Sequence, residues 1–196
     1  MRLIVVEGAL EAPASLKLLD ALEIPAEGLF PINKGGRIAF WRDAYRYNQV
    51  ARLGPVFGLV DLQGAPCPSG LIAGNLRHPK HADFVLRIAE RMLESWLLAD
   101  AKAVADFLRV SRSLVPRDPE SLPHPKRALV DLARRSSVRA IREDLVPEPG
   151  SAGIVGRGYT PRMTEFIEEL WRPLEARRNS RSLERAMVAI ENATDP

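Results

Sequence analysis

The sequence predicts an α/β fold, a mainly parallel sheet flanked by helices, with a helical region at the C-terminal end. Three observations predict it. Short apolar, β-branched runs alternate with helix-period stretches through the first half of the chain. Two of these runs end on an acid, Leu3–Val6 on Glu7 and Val56–Val60 on Asp61. A proline-rich stretch, Val115–His124, then precedes a helical remainder. The expected division is an α/β domain over residues 1–115 and a helical C-terminal region over residues 124–192 packed on it.

The elements follow in order. Leu3-Ile4-Val5-Val6 reads as a buried strand. Leu16, Leu19 and Leu22 recur at helical spacing after it. Gly28–Asn33 is a second strand, placed at an edge or bulge because Pro31 cannot donate to a ladder. Ile38–Leu53 is a helix whose Phe40, Trp41, Ala44, Tyr45, Tyr47, Val50 and Leu53 are expected to form a mostly buried face. Val56–Asp61 and Phe84–Ile88 are the third and fourth strands, and Leu62–Gly70 between them is a loop by composition. Met92–Leu98 and Ala101–Leu108 turn helical, with Asp100 expected to cap the second of them. Beyond the prolines, Lys126–Ser136 is a helix, Thr160 is the expected cap of another, and Leu183, Ala186, Met187 and Ile190 build the last one. A polar end, Asn192–Pro196, follows.

Composition narrows the function classes. The chain has 196 residues and an ordinary globular balance of 46% hydrophobic and 27% charged residues. No run approaches the roughly 20 apolar residues of a membrane span, so no membrane partner is expected. Met1-Arg2-Leu3 runs straight into a strand without a signal-peptide pattern, and Cys67 is the single cysteine. Both features lead us to expect a cytoplasmic protein. Three histidines without paired spacing give no zinc signal, and His78 and His81 read as plain loop residues. The net charge of +3 arises entirely in residues 101–196, which carry 17 basic and 14 acidic groups.

An acid at the C-terminal end of a central strand sits where open parallel sheets present their chemistry. Glu94 follows the fourth strand, so Glu7, Asp61 and Glu94 converge on one edge if these strands are neighbours. Such a set suits a hard divalent cation, which takes oxygen ligands. Each acid alone is equally explained as a strand-end or helix-cap residue. The turn Asn33–Arg37 carries glycines and two cations that suit a phosphate, but it lacks the Gly-Lys-Ser/Thr of a P-loop, and a strand-to-helix turn explains it as well. Lys126–Arg142 holds six basic residues against one acid, Asp131. Arg135, Arg139 and Arg142 share a face if one helix carries through. With Arg134 and with Arg157 in the glycine-rich loop before Thr160, they are the candidate nucleic-acid contacts, and a solvated charged face is the alternative.

Val5-Val6-Glu7-Gly8, Gly58-Leu59-Val60-Asp61-Leu62-Gln63-Gly64 and the segment from Arg87 through Glu94-Ser95-Trp96-Leu97-Leu98-Ala99-Asp100 occur in this order. On these residues the chain resembles a TOPRIM-related family of short bacterial proteins of unassigned function. The resemblance covers most of the chain. It implies nuclease or nucleotidyl-transfer chemistry with Mg²⁺, or Mn²⁺ in its place. Carried over, Glu7 is the general acid or base and Asp61 a metal ligand. Gln63 stands where the family pattern has a second aspartate, so its amide oxygen ligates without adding charge, and Glu94 supplies the third carboxylate. The resemblance further implies an ATPase partner of the ABC or structural-maintenance type in an anti-phage module. Two functions are therefore expected: a Mg²⁺-dependent phosphodiesterase acting on DNA or RNA, or a docking or sensing partner whose catalysis Gln63 has weakened.

Overall fold

Burial on both faces is what an unbroken apolar strand requires, and parallel sheets supply it. The structure, a computed structural model, describes residues 1–194; Asp195 and Pro196, the end of the polar stretch, lie outside the described residues. It contains strands β1 (Leu3–Val6), β2 (Ile32–Asn33), β3 (Val56–Asp61) and β4 (Phe84–Ala89). They form one all-parallel sheet in the order β2-β1-β3-β4. The expected α/β fold class is realised. β3, in the middle, is buried at every position. β2 is an edge strand of two residues, much shorter than the run Gly28–Asn33, because Pro31 stops the ladder.

The chain divides into two units, one comprising residues 1–90 and the chain from Ser182 on, the other Arg91–Arg181. The first holds the sheet with α1 (Glu11–Ala21), α2 (Arg37–Val50) and α3 (Pro68–Asn75). Side chains alternate across a strand. Val5, Val60, Phe84, Leu86 and Ile88 accordingly share one core cluster with Phe40, Trp41 and Ala44 of α2 and Leu71 of α3. Gly58 makes room in that cluster. A Cβ there would lie 3.0 Å from a Leu86 methyl and 3.1 Å from the Phe84 ring. α3 falls partly where the composition reads as loop. Proline starts it, and the Cys67 sulfur caps it by accepting the Gly70 N–H at 3.3 Å.

The second unit contains α4 (Leu93–Leu98), α5 (Ala101–Leu108), α6 (Pro125–Arg134), α7 (Arg139–Leu145), α8 (Tyr159–Glu165) and α9 (Pro173–Ala176). The proline-rich stretch Val115–His124 lies inside this unit. Trp96, Phe166 and Trp171 are fully buried in it. The basic segment does not form one helix. α6 ends at Arg134, the Ser136 hydroxyl accepts the Val138 N–H at 3.1 Å, and α7 starts afresh at Arg139. α8 starts at Tyr159, one residue ahead of the expected cap Thr160, because Gly156 and Gly158 press the chain onto the end of α7. A Cβ on Gly156 would meet the Asp144 carbonyl oxygen at 2.3 Å. α10 (Arg181–Thr194) returns to the first unit, where the Ser182 hydroxyl accepts the Glu90 N–H at 3.2 Å.

Candidate active site

In an open parallel sheet, ligands bind beyond the carboxyl ends of the strands where the strand order reverses. Here the reversal lies between β1 and β3, since the chain goes to β2 on one side and to β3 and β4 on the other. Glu7 and Asp61 stand at the carboxyl ends of these two neighbours. In-register pairing of Val6 with Leu59 sets them side by side, and the Glu7 N–H donates to the Leu59 carbonyl at 3.1 Å. Glu7 is 7% exposed and Asp61 5%.

The Glu7 carboxylate is held from two directions. One oxygen accepts the Asp61 N–H at 3.3 Å, and the other accepts the Gln63 side-chain amide at 3.0 Å. The Gln63 amide oxygen faces away from Glu7 and accepts from the Arg37 guanidinium at 3.2 Å. Arg37 also donates to the Leu62 carbonyl at 3.4 Å. Gln63 takes φ +50°, a left-handed backbone uncommon for a non-glycine residue. Strain of this kind clusters at functional sites.

Glu11, the first residue of α1, is drawn to the same strand end. A Cβ on Gly8 would come 2.9 Å from a Glu11 carboxylate oxygen, and Glu11 is 7% exposed.

The turn before α2 is a closed turn. Lys34 and Gly36 donate their N–H groups to the carbonyls of Val6 and Glu7 at 3.0 and 2.8 Å. The Asn33 side chain takes the Gly35 N–H at 2.8 Å. Gly35 and Gly36, at φ +69° and +135°, permit that path. Lys34 reaches Asp43 at 2.7 Å, which raises the pKa of the lysine and lowers that of the aspartate.

Glu94 and Asp100 belong to the second unit. Glu94 is 2% exposed, accepts the Tyr159 hydroxyl at 3.0 Å and lies 3.3 Å from the Lys126 ammonium. Asp100 caps α5 as expected, accepting the Ala103 N–H at 3.2 Å, and it also receives the Arg172 guanidinium, with Nε at 2.8 Å. Among the candidate nucleic-acid contacts, Arg134, Arg135, Arg139 and Arg157 are exposed and Arg142 is half-buried. Arg134 lies 3.5 Å from Asp131, Arg139 2.7 Å from Glu143, and Arg157 3.7 Å from Glu148. Arg142 donates to the Ser136 carbonyl. His78 stacks on Tyr45 and His81 accepts the Asp83 N–H, which are loop-building roles. The Ser69 hydroxyl and the Gly70 N–H hold the Cys67 thiol below its usual pKa.

Among the described residues no group of three or more His, Cys, Asp or Glu side chains is placed to hold a metal ion. Mg²⁺ asks for less, because it keeps several waters and binds through one or two carboxylates. The side-chain acids at the β1–β3 end, Glu7 and Asp61, offer oxygens, the ligand type that a hard cation takes. The Gln63 oxygen joins them only by exchanging its Arg37 contact. No described helix is long and apolar enough to cross a membrane. No protein-family model, curated protein or solved structure matches the chain.

Proposed function

We propose that the chain is a TOPRIM-type, Mg²⁺-dependent phosphodiesterase acting on DNA or RNA, with Mn²⁺ as an alternative metal, and that it works within an anti-phage defence module. One observation carries this reading. Two buried acids, Glu7 and Asp61, end adjacent parallel strands at the point where the strand order reverses. Asp61, with Glu7 beside it, would hold the metal, which when bound stabilises charge developing on the phosphate. Glu7 serves as general acid or base. Its carboxylate is oriented for that work by the Asp61 N–H and the Gln63 amide. Arg134, Arg135, Arg139, Arg142 and Arg157 offer phosphate contacts that position a strand without reading its sequence.

The test is cleavage of labelled DNA and RNA by the full chain with Mg²⁺ or Mn²⁺. Glu7→Gln and Asp61→Asn should each lower the rate at least 100-fold while the fold is retained by circular dichroism. Wild-type rates in both variants overturn the reading. A second reading is favoured by Gln63, which lacks the charge of the family's aspartate and whose oxygen faces Arg37. On it, the chain is a docking or sensing partner of an ABC- or structural-maintenance-type ATPase. Absence of both cleavage and calorimetric Mg²⁺ binding selects that second reading.

A further inference from the structure

The second unit contains a cavity of about 520 Å³ along one side of α6. That lies within the ~300–1,000 Å³ of small-molecule sites. Its walls are of two kinds. Lys126, Arg127 and Arg134 bring three cations, and the one acid among the lining residues, Asp131, lies 3.5 Å from Arg134. Val130 and Ile154 bring apolar surface, and Ile154 is 66% exposed.

One of the cations is fixed from behind. The Lys126 ammonium lies 3.3 Å from Glu94 and 5.8 Å from the centre of the Tyr159 ring. Glu94 is 2% exposed and is itself held by the Tyr159 hydroxyl. A buried carboxylate and a buried phenol thus set a lysine at the cavity wall, so less ordering is needed when an anion arrives. Arg127 is exposed and has no carboxylate partner among the described residues. Its planar guanidinium suits the paired oxygens of a phosphate.

We propose that this cavity binds the terminal phosphate of a nucleotide. Lys126, Arg127 and Arg134 hold the phosphate, and the apolar wall at Val130 and Ile154 receives the base. A phosphate monoester carries about −1.5 to −2 charge at neutral pH. Lys126 faces Glu94 and Arg134 faces Asp131, so among the described residues Arg127 brings the cation that no carboxylate already meets. A half-open cavity with cations beside an apolar wall suits the phosphate and base of one nucleotide. The monoester comes either from a free nucleotide or from the phosphorylated end of a strand. The proposal does not depend on the Glu7–Asp61 reading, and chelating metal during the test keeps the two apart.

The experiment is binding to the full chain in EDTA, by calorimetry for adenosine and cytidine 5′-monophosphates and by fluorescence anisotropy for a short 5′-phosphorylated oligonucleotide. Adenosine, cytidine and the unphosphorylated oligonucleotide are the controls. At least one phosphorylated probe should bind, and its control should bind at least tenfold more weakly. The double variant Arg127→Ala/Arg134→Ala and the single variant Ile154→Glu should each weaken binding at least tenfold. All three side chains are exposed, so the fold is expected to survive, and Glu7→Gln should leave this binding unchanged. Binding of the mononucleotides identifies free nucleotide as the ligand, and binding of the oligonucleotide alone identifies a strand end. The proposal is overturned if no phosphorylated probe binds at millimolar concentration, if the controls bind equally well, or if both cavity variants bind like wild type.

Discussion

Buried acids stand in both units, and they are held in different ways. In the second unit each acid faces a cation directly: Glu94 meets Lys126 and Asp100 meets Arg172. In the first unit Glu7 has among its contacts a backbone N–H and a neutral side-chain amide, and the Arg37 guanidinium donates to the oxygen of that same Gln63 amide. A carboxylate matched to a fixed cation has its charge answered within the fold. A carboxylate that accepts N–H groups has its orientation fixed by them. Similar residues near similar chain signals therefore acquire different partners, because side chains distant in sequence decide what meets them.

Lys126→Met carries the largest expected effect on stability. It leaves the Glu94 carboxylate buried beside Tyr159 without its ammonium. Removing one partner of a buried pair costs about 3–5 kcal/mol. Lys126 is partly exposed, so the lower end of that range is expected. Denaturant unfolding measures it. Adding Glu94→Gln to Lys126→Met should recover much of the loss. A neutral outcome for Lys126→Met would erase the contrast drawn between the units. Glu7→Gln should cost less, about 1 kcal/mol. The new amide still has an oxygen for one N–H donor, but its NH₂ group faces the other. Unfolding as severe as that of Lys126→Met would make Glu7 a structural acid like Glu94.

What the sequence revealed divides along the range of the interactions. β3 and α5 have their expected bounds, since an apolar run ending on an acid and an aspartate cap are local signals. α3 was hidden because Pro68, Ser69 and Gly70 have loop composition, and a cysteine sulfur is a weak announcement of a cap. The basic stripe assumed a continuous helix, but the Ser136 hydroxyl closes a turn between Arg134 and Arg139. At the site, Glu7 and Asp61 were legible because strand ends place acids predictably in a βαβ order. Glu11 was not, because it reaches that place only through close packing against Gly8. The partners of Glu94 were not legible either. Tyr159 is 65 residues away along the chain, and no local pattern in the sequence joins them.

Gln63→Asp has the smallest expected effect on the fold and bears most directly on how Glu7 is used. The position has φ +50°, a region that aspartate enters more readily than most residues, so the backbone tolerates the change. The electrostatic consequence depends on metal. Without it, the substitution removes the amide that donates to Glu7 and adds a carboxylate nearby, which keeps an acceptor on the side of Arg37. A loss of about 1 kcal/mol is expected, typical of one hydrogen bond. With Mg²⁺ or Mn²⁺ present, the added charged oxygen should tighten binding, because affinity for hard cations follows the number of charged ligands. A ligand that binds only the folded state raises stability. The melting temperature of Gln63→Asp should therefore rise with added metal by more than that of wild type, and calorimetry should show tighter binding. Equal, metal-independent melting in both proteins would mean that Glu7 and Asp61 meet no cation, and the first unit would then resemble the second in having its charges settled within the fold.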